Sequence, residues 1–361
     1  MNIIASAPGK LVLLGEYAVL EGAPAISMAV NRRAKARIAP RAGAVSEAYA
    51  PDVLDARVPF TLGANGLPDW SAAAGDAAKL GLVDEVLRGL ADEQLGPDAA
   101  QAFGLSLDTS EFFDVAAADR PKLGLGSSAA LTVALASGLA ARAGHAAETA
   151  DRDAWLTRLL GLHRKFQGGH GSGVDVATSL VGGVIAYQLF DGGQRPQARA
   201  LAWPGTLHKR FVWSGCSAST PKFLSILRAW RATHEAEYTR RMNGLHETAT
   251  AAVEALASAD AAAFLDCARR YAGDLRALGD ASGVSIYSAE HLAIAELAQR
   301  QAGVVYKPCG AGGGDVGVLF ATDPDRLAAL DAPLAAAGFS CVALTVDPSG
   351  LQLEFMESNE A

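Results

Sequence analysis

The glycine- and serine-rich stretch at 124–128 is the part of the sequence whose residue types best suit chemistry. It holds two glycines and two serines, and an almost wholly apolar run of Ala, Leu and Val follows at 129–143. This order predicts a turn that leads into a buried helix. The first N–H groups of a helix lack intrahelical partners and lie at the positive end of its dipole, so the junction suits an anion such as phosphate. The alternative is a plain capped helix, with Ser127 or Ser128 as N-cap.

Two charged residues elsewhere would complement an anion site. Lys10 follows Pro8-Gly9 and precedes the apolar run 11–14, so we expect it at the mouth of a turn between two strands. Asp175 follows the loop 168–173 and begins a helix. A lysine cation near this carboxylate would favour its ionised form and lower the pKa of an acceptor hydroxyl. A surface lysine and a helix-start aspartate that complements the dipole are the alternatives.

Three small-residue loops, at 124–128, 168–173 and 310–314, are each flanked by apolar segments. With a lysine and an aspartate they supply what phosphoryl transfer requires, namely N–H groups for phosphates, a cation and a group that handles the acceptor proton. A serine hydroxyl in the first loop also offers an oxygen ligand for Mg²⁺.

Other polar residues near these loops have simpler interpretations. We interpret Asp315, directly after the third loop, as a turn residue rather than a metal ligand. His163 and His170 flank the second loop without an obvious third ligand, so we expect structural or exposed histidines rather than a metal site.

Two common nucleotide-binding motifs do not fit the sequence. Gly9-Lys10 is followed by Leu11 rather than Ser or Thr, which excludes a Walker A loop. Residues 124–129 match the pattern GxGxxA, but the residues before them, 118–122, do not resemble the buried strand that a dinucleotide-binding fold requires.

The composition narrows the class of protein. The chain has 361 residues, of which 50% are hydrophobic, so it can bury the cores of two domains. A formal net charge of −8 argues against nucleic acid as a partner but allows a small anionic substrate. The four cysteines form no CxxC pair, and we find no signal peptide and no apolar run long enough to span a membrane. We therefore expect a cytoplasmic protein with reduced thiols and no membrane partner.

Apolar periodicity and turn signals predict an α+β chain of two domains, 1–195 and 196–361, divided within the polar segment 191–199. Strands are predicted at 2–5, 11–14, 25–30, 33–38, 103–107, 184–189, 210–213, 304–307, 316–321, 341–346 and 351–355. Helices are predicted at 77–90, 129–143, 151–166, 174–180, 221–256, 260–278, 288–302 and 323–337. Two helices among about four strands in the second half indicate a ferredoxin-like domain.

Three segments resemble, in order, the three motifs of the GHMP kinases. They are Ala-Pro-Gly-Lys at 7–10 with Gly-Glu-Tyr-Ala-Val-Leu at 15–20, Pro-Lys-Leu-Gly-Leu-Gly-Ser-Ser-Ala-Ala at 121–130, and Lys-Pro-Cys-Gly-Ala-Gly-Gly-Gly-Asp at 307–315. The resemblance covers nearly the whole chain. It implies a two-domain GHMP kinase fold, with an ATP-binding N-terminal domain like ribosomal protein S5 domain 2 and a ferredoxin-like GHMP C-terminal domain.

Within that family the chain looks most like the phosphomevalonate kinases. The resemblance rests on Glu16-Tyr17, on the pattern HxxxQGxxGSGxDV at 163–176, on Gly314-Asp315 and on the segment 213–220. It implies ATP-dependent phosphorylation of 5-phosphomevalonate to 5-diphosphomevalonate in the mevalonate route to isoprenoids. The alternatives are a mevalonate kinase and a GHMP-fold sensor that binds ligand without turnover.

The resemblance also implies roles for individual residues. Lys10 and Asp175 would be catalytic, and the ATP phosphates would be bound by Lys122, Gly124, Leu125, Gly126, Ser127 and Ser128, with Ser128 on Mg²⁺. The small anionic substrate would contact Glu16, Tyr17, Ser172, Ser219, Thr220 and Gly312. Many mevalonate kinases have a Mg²⁺-binding Glu where this chain has Arg164, so Arg164 is expected to help hold an anionic substrate instead. The protein is expected to be a monomer or homodimer.

Overall fold

The computed structural model describes residues 1–91, 101–114, 121–145 and 151–357. Two β-sheets with helices packed against them form its framework. The prediction that no buried strand precedes the first glycine loop concerns residues 118–122, of which 118–120 lie outside the described residues.

The larger sheet has nine strands in the described part of the chain and runs β13-β1-β2-β6-β3-β4-β5, with β7 and β8 attached beside β2. All its pairs are antiparallel except β3 with β6. The strands are β1 (Asn2–Leu14), β2 (Ala25–Pro40), β3 (Ser46–Ala50), β4 (Leu54–Leu62), β5 (Pro68–Asp69), β6 (Phe103–Asp108), β7 (Val184–Phe190), β8 (Arg195–Leu201) and β13 (Gln352–Met356).

Among the residues that the structure describes, the smaller sheet has four antiparallel strands, ordered β10-β11-β9-β12. They are β9 (His208–Trp213), β10 (Val305–Pro308), β11 (Val316–Ala321) and β12 (Ser340–Val342). With helices between β9 and β10 and between β11 and β12, this is the βαββαβ order of a ferredoxin-like domain.

Helices cover faces of both sheets. In the first half, α3 and α5 pack on β1 and β2, and in the second half α8 and α9 pack on β10. The helices are α1 (Ala74–Ala77), α2 (Gly81–Leu90), α3 (Ser127–Arg142), α4 (Arg152–Phe166), α5 (Val174–Val181), α6 (Thr220–Arg231), α7 (Glu235–Ala257), α8 (Ala261–Ser282), α9 (Ala289–Gln299), α10 (Pro324–Ala328) and α11 (Asp331–Ala336). No helix among the described residues is long and apolar enough to cross a bilayer.

Helix α3 is central to the first core because its side chains are small. Almost all of its residues are buried, and the Cβ that an alanine would add at Gly138 would lie 3.1 Å from Cβ of Ala5 on β1. This close approach of helix to sheet brings the start of α3 against the strand that carries Lys10.

Several predicted boundaries are wrong. The two strands expected on either side of Lys10 are one strand, β1, with an irregularity between Pro8 and Gly9, so Lys10 lies within a strand and not in a turn. The strands at 25–30 and 33–38 are likewise one strand, β2, because β1 pairs with both halves. Pro8-Gly9 resembles a turn in sequence, but β1 pairs with β2 on both sides of it, with a shift of register between the two residues.

Three of the predicted helices are shorter or divided in the structure, and one predicted strand belongs to a different sheet from the one expected. The stretch 221–256 divides into α6 and α7, the stretch 323–337 into α10 and α11, and the helix expected from 77 begins at Gly81. The last strand, β13, pairs with β1 in the larger sheet rather than joining the smaller one. The division into domains 1–195 and 196–361 stays a prediction. In the structure β8 extends over the predicted boundary and pairs with β7 of the first domain.

Candidate active site

The start of α3 is a nest of unpaired backbone N–H groups. Gly124 and Gly126 have left-handed backbones, with φ of +70° and +76°, and Gly126 is the N-cap without any side-chain cap. The first N–H to be bonded is that of Ala130, to the Gly126 carbonyl at 3.1 Å, and the described residues provide no acceptor for the N–H groups of 124–129. The serine-capped helix is therefore wrong, and the turn is free to bind an anion.

Lys10 lies directly against this turn. Its backbone N–H donates to the Leu125 carbonyl at 2.8 Å. Its side chain crosses Gly126 so closely that a Cβ there would lie 3.0 Å from Lys10 Cε. The second glycine of the loop therefore makes room for the lysine, and the cation is placed beside the N–H groups.

Asp315 faces the same turn from the smaller sheet. A Cβ on Gly124 would lie 2.3 Å from the carboxyl carbon of Asp315. Burial raises the pKa of the Asp315 carboxyl to about 6, against the opposing effect of Lys10 and Lys122. Burial also lowers the pKa of Lys122, while Asp315 and Asp52 oppose that shift. Charged groups from three segments thus surround one glycine-rich turn.

A cavity of about 200 Å³ opens next to Lys10 and brings the two proposed catalytic residues together. Its lining includes Lys10 and Asp175 together with four of the expected substrate residues, Glu16, Tyr17, Ser172 and Thr220. The other two expected substrate residues, Ser219 and Gly312, do not line it, although their neighbours Thr220 and Ala311 do. The turn 124–128 adjoins the cavity through Lys10.

Asp175 is held at the start of α5. The N-cap is Gly173, whose φ is +80°, and Tyr187 donates its hydroxyl to the Ser172 carbonyl at 2.6 Å. The Asp175 carboxylate accepts the N–H of Val176 at 3.0 Å and lies in the first helical turn, where the dipole favours negative charge. The left-handed glycine and the tyrosine therefore set the direction in which α5 presents its aspartate.

Glu16 is engaged in a buried ion pair that the sequence analysis missed. Its Oε1 lies 2.5 Å from Nζ of Lys307, and the two side chains are 2% and 0% exposed. Burial raises the pKa of Glu16, and Lys307 opposes that shift. The adjacent Tyr17 donates its hydroxyl to the Ala311 carbonyl at 2.5 Å. The sequence does offer a signal for this ion pair, because Lys307 lies at the end of an apolar strand next to a glycine-rich loop.

His291 shapes the third glycine loop and was also missed. Its ring nitrogens lie 2.6 Å from the Tyr306 hydroxyl and 2.9 Å from the Gly314 carbonyl. Burial lowers its pKa to about 4, so the ring is neutral, with Nε2 donating to Gly314 and Nδ1 accepting from Tyr306. At Gly312 a Cβ would lie 2.4 Å from the Ile286 carbonyl, so the loop packs tightly enough to require glycine.

The expected magnesium ligand Ser128 lies beside a histidine, with its Oγ 3.3 Å from Nε2 of His163. Arg164 does not line the cavity beside Asp175. Its guanidinium donates to the carbonyls of Gly171 at 2.9 Å and Gly193 at 2.7 Å, so its observed role is to join two loops. Among the described residues no group of three or more His, Cys, Asp or Glu side chains is arranged to hold a metal.

Comparison with known proteins identifies the class. No protein-family model matches the chain. The chain is 31% identical over 345 residues to the phosphomevalonate kinase of Streptomyces sp. (strain CL190), with 88% of this chain and 90% of that protein covered. The Lin0012 protein from Listeria innocua has the same fold, with a TM-score of 0.82 at 23% identity over 98% of this chain and 99% of that one.

A second solved structure has the same fold. Streptococcus pneumoniae phosphomevalonate kinase, in complex with phosphomevalonate and AMPPNP, matches with a TM-score of 0.75 at 20% identity over 95% of this chain and 99% of that one. The expected α+β GHMP kinase fold is confirmed. The chain belongs to the GHMP kinase superfamily, a family of small-molecule kinases.

Proposed function

We propose that the protein is a phosphomevalonate kinase, which transfers the γ-phosphoryl group of ATP to the phosphate of 5-phosphomevalonate. The observation that carries the proposal is the meeting of Lys10 and Asp175 in one cavity next to the unpaired N–H groups of the turn 124–128. The Streptomyces relative supports this choice of acceptor.

The proposed reaction requires a cation between the acceptor phosphate and the γ-phosphate of ATP. An oxygen of the acceptor phosphate attacks the γ-phosphorus, and the bond from γ-phosphorus to the β,γ-bridging oxygen breaks to release ADP. Both reactants are anions, so their approach is unfavourable unless a cation screens them. Lys10, against Gly126 and lining the cavity, is suited to touch both phosphates.

Asp175 completes the acceptor side. A phosphate monoester has a second pKa of about 6, so a fraction of the acceptor carries a proton near neutral pH. An ionised carboxylate in the first turn of α5 can accept that proton as the oxygen attacks. The backbone N–H groups of 124–129 hold the triphosphate and stabilise its negative charge as ADP leaves.

The site is compatible with Mg²⁺ although it offers few protein ligands. Mg²⁺ usually binds through one or two protein oxygens, substrate phosphates and water, and when bound it would neutralise charge on the triphosphate. The Ser128 hydroxyl, at the start of α3, is the group that would hold it. Arg164 offers no second ligand, since a guanidinium is a cation with no acceptor atom for a metal. Its N–H groups donate to two backbone carbonyls instead.

An ADP-release assay with a panel of acceptors tests the proposal. We expect ADP release with ATP, Mg²⁺ and 5-phosphomevalonate, and much less with mevalonate. Preference for mevalonate would identify the protein as a mevalonate kinase, and tight ligand binding without ADP release would indicate a sensor. We place the reaction in the cytoplasm, and the prediction of a monomer or homodimer stays a prediction.

Two variants test the residue assignment. Asp175→Asn and Lys10→Met should each lower kcat about 10²- to 10⁴-fold, which is far more than they weaken ATP binding. Asp280→Asn on α8 and Lys79→Met are matched controls, since both replace exposed charges at residues that do not line the cavity. Near-normal kcat in both test variants would remove the assignment.

A further inference from the structure

Asp315 contacts the proposed phosphate-binding turn at Gly124, but it has no role in the proposed phosphoryl transfer. Only a glycine at position 124 leaves room for its carboxyl group, whose carbon lies 2.3 Å from where a Cβ would be. If the turn binds the nucleotide as proposed, the triphosphate lies beside this carboxyl group. A fixed carboxylate in an anion site weakens binding unless its charge is removed.

The backbone of Asp315 is held on both sides, which limits how far the carboxyl group can withdraw. Its N–H donates to the Cys216 carbonyl at 2.7 Å, and its own carbonyl accepts the N–H of Ser214 at 2.9 Å. Its φ is +58°, a left-handed conformation that aspartate and asparagine adopt more readily than other residues with a side chain. The strand β11 begins at the next residue.

The groups that face the carboxyl group can be named from each neighbouring segment. Lys10 extends from β1 and Lys122 from the segment before the turn, and both favour the ionised form. The segment 214–218 contributes the backbone amide of Ala218, and its one titratable side chain is the thiol of Cys216. The ionised form is therefore stabilised by Lys10, which lies directly against the proposed phosphate site, by the Ala218 N–H and by Lys122.

We propose that nucleotide binding at this turn takes up one proton from solvent and that Asp315 receives it. A triphosphate keeps a net negative charge even with one Mg²⁺ bound, so it adds negative charge next to the carboxyl group. It also engages the lysines that stabilise the ionised form, and both effects favour protonation. The neutral carboxyl group no longer repels the phosphates and can donate a hydrogen bond to one of them. The proton is returned to solvent when the nucleotide leaves.

The expected pH dependence follows from the free protein. Burial raises the pKa of Asp315 to about 6, so the carboxyl group is already neutral below pH 6 and mostly ionised at pH 7. Well below pH 6 the wild type and Asp315→Asn should therefore bind nucleotide equally, and above pH 6 the wild type should become weaker than the variant by up to about tenfold for each pH unit. Titration of the nucleotide's own phosphates affects both proteins alike and cancels in this comparison. Asp315→Asn mimics the neutral form, and asparagine tolerates a left-handed backbone.

Calorimetric titration with AMPPNP and Mg²⁺ tests the proposal when it is run in two buffers of different ionisation enthalpy. The difference between buffers counts the protons exchanged on binding. At pH 7 the wild type should take up close to one more proton than Asp315→Asn, and the variant should bind about tenfold more tightly. The matched control is Asp52→Asn, which removes a carboxylate that faces Lys122 and bonds to Thr109, and it should behave like the wild type.

The results separate this inference from the proposed function. Equal proton exchange and equal affinity in wild type and Asp315→Asn would overturn the inference while leaving the nucleotide site intact. Loss of proton uptake in Asp52→Asn as well would overturn the assignment to Asp315. Absence of AMPPNP binding by the folded wild type would overturn both the nucleotide site and the inference. The melting temperature of each variant shows that it is folded.

Discussion

Removing Lys307 should destabilise the protein far more than removing an exposed lysine or arginine. Its ammonium is fully buried, 2.5 Å from Oε1 of Glu16 and 2.6 Å from the Pro308 carbonyl. The pair joins the loop after β1 to the end of β10, two segments whose residues are 291 positions apart in the chain. Lys307→Met leaves a carboxyl group buried without its counter-charge.

The size of the effect can be worked from this burial. Breaking a buried ion pair from one side costs about 3–5 kcal/mol, because the remaining charge is desolvated and unpaired. Glu16 can reduce that cost by taking a proton, since burial already raises its pKa. We therefore expect Lys307→Met to lower the free energy of unfolding by about 3 kcal/mol, and Glu16→Gln by a similar amount. The double variant should lose less than the sum of the two, because it leaves no unpaired charge.

Urea titration of the four proteins, followed by circular dichroism, measures these differences. Arg269→Met is the matched control, since Arg269 pairs with Asp266 on α8 with half or more of each side chain exposed. It should cost no more than about 1 kcal/mol. Additive effects of Lys307→Met and Glu16→Gln, or a cost for Lys307→Met no larger than that of the control, would refute the reasoning.

Three further predictions concern the loops. Gly126→Ala puts a methyl group 3.0 Å from Lys10 Cε and should lower kcat at least about tenfold, as measured by ADP release, whereas Gly244→Ala in open space on α7 should not. His291→Leu should cost about 1–3 kcal/mol in urea titration, because it leaves two buried polar groups unpaired. The pKa of His291 is about 4 in the folded protein, below its value of 6.5 in the unfolded chain. The free energy of unfolding of the wild type should therefore fall as the pH is lowered from 6.5 to 4, because the unfolded chain binds the proton more tightly. The variant should lose less stability over the same pH range. Arg164→Lys should impair acceptor KM as much as Arg164→Met, because one ammonium cannot span both carbonyls, and rescue by lysine would instead indicate a charge contact with substrate.

Much of the local structure could be predicted from the sequence. The helix after the turn 124–128 was predicted at 129–143 and is α3, and the strands at 103–107, 184–189 and 316–321 lie within or coincide with β6, β7 and β11. Such elements depend on apolar periodicity and on turn residues that act over a few positions. The same local signals misled at Pro8-Gly9, where a turn-like pair lies inside β1 because the neighbouring strands complete its ladder.

The residues of the candidate site were likewise named from sequence, through loops that place small residues before helices and through resemblance to a family. What the sequence determined is the inventory: a glycine-rich helix start, a lysine, an aspartate and two further small-residue loops. What only the tertiary structure decided is which of them face each other. The pairing of Glu16 with Lys307 and the contact of Asp315 with Gly124 join distant parts of the chain, and they depend on how two sheets are placed against each other rather than on any local pattern.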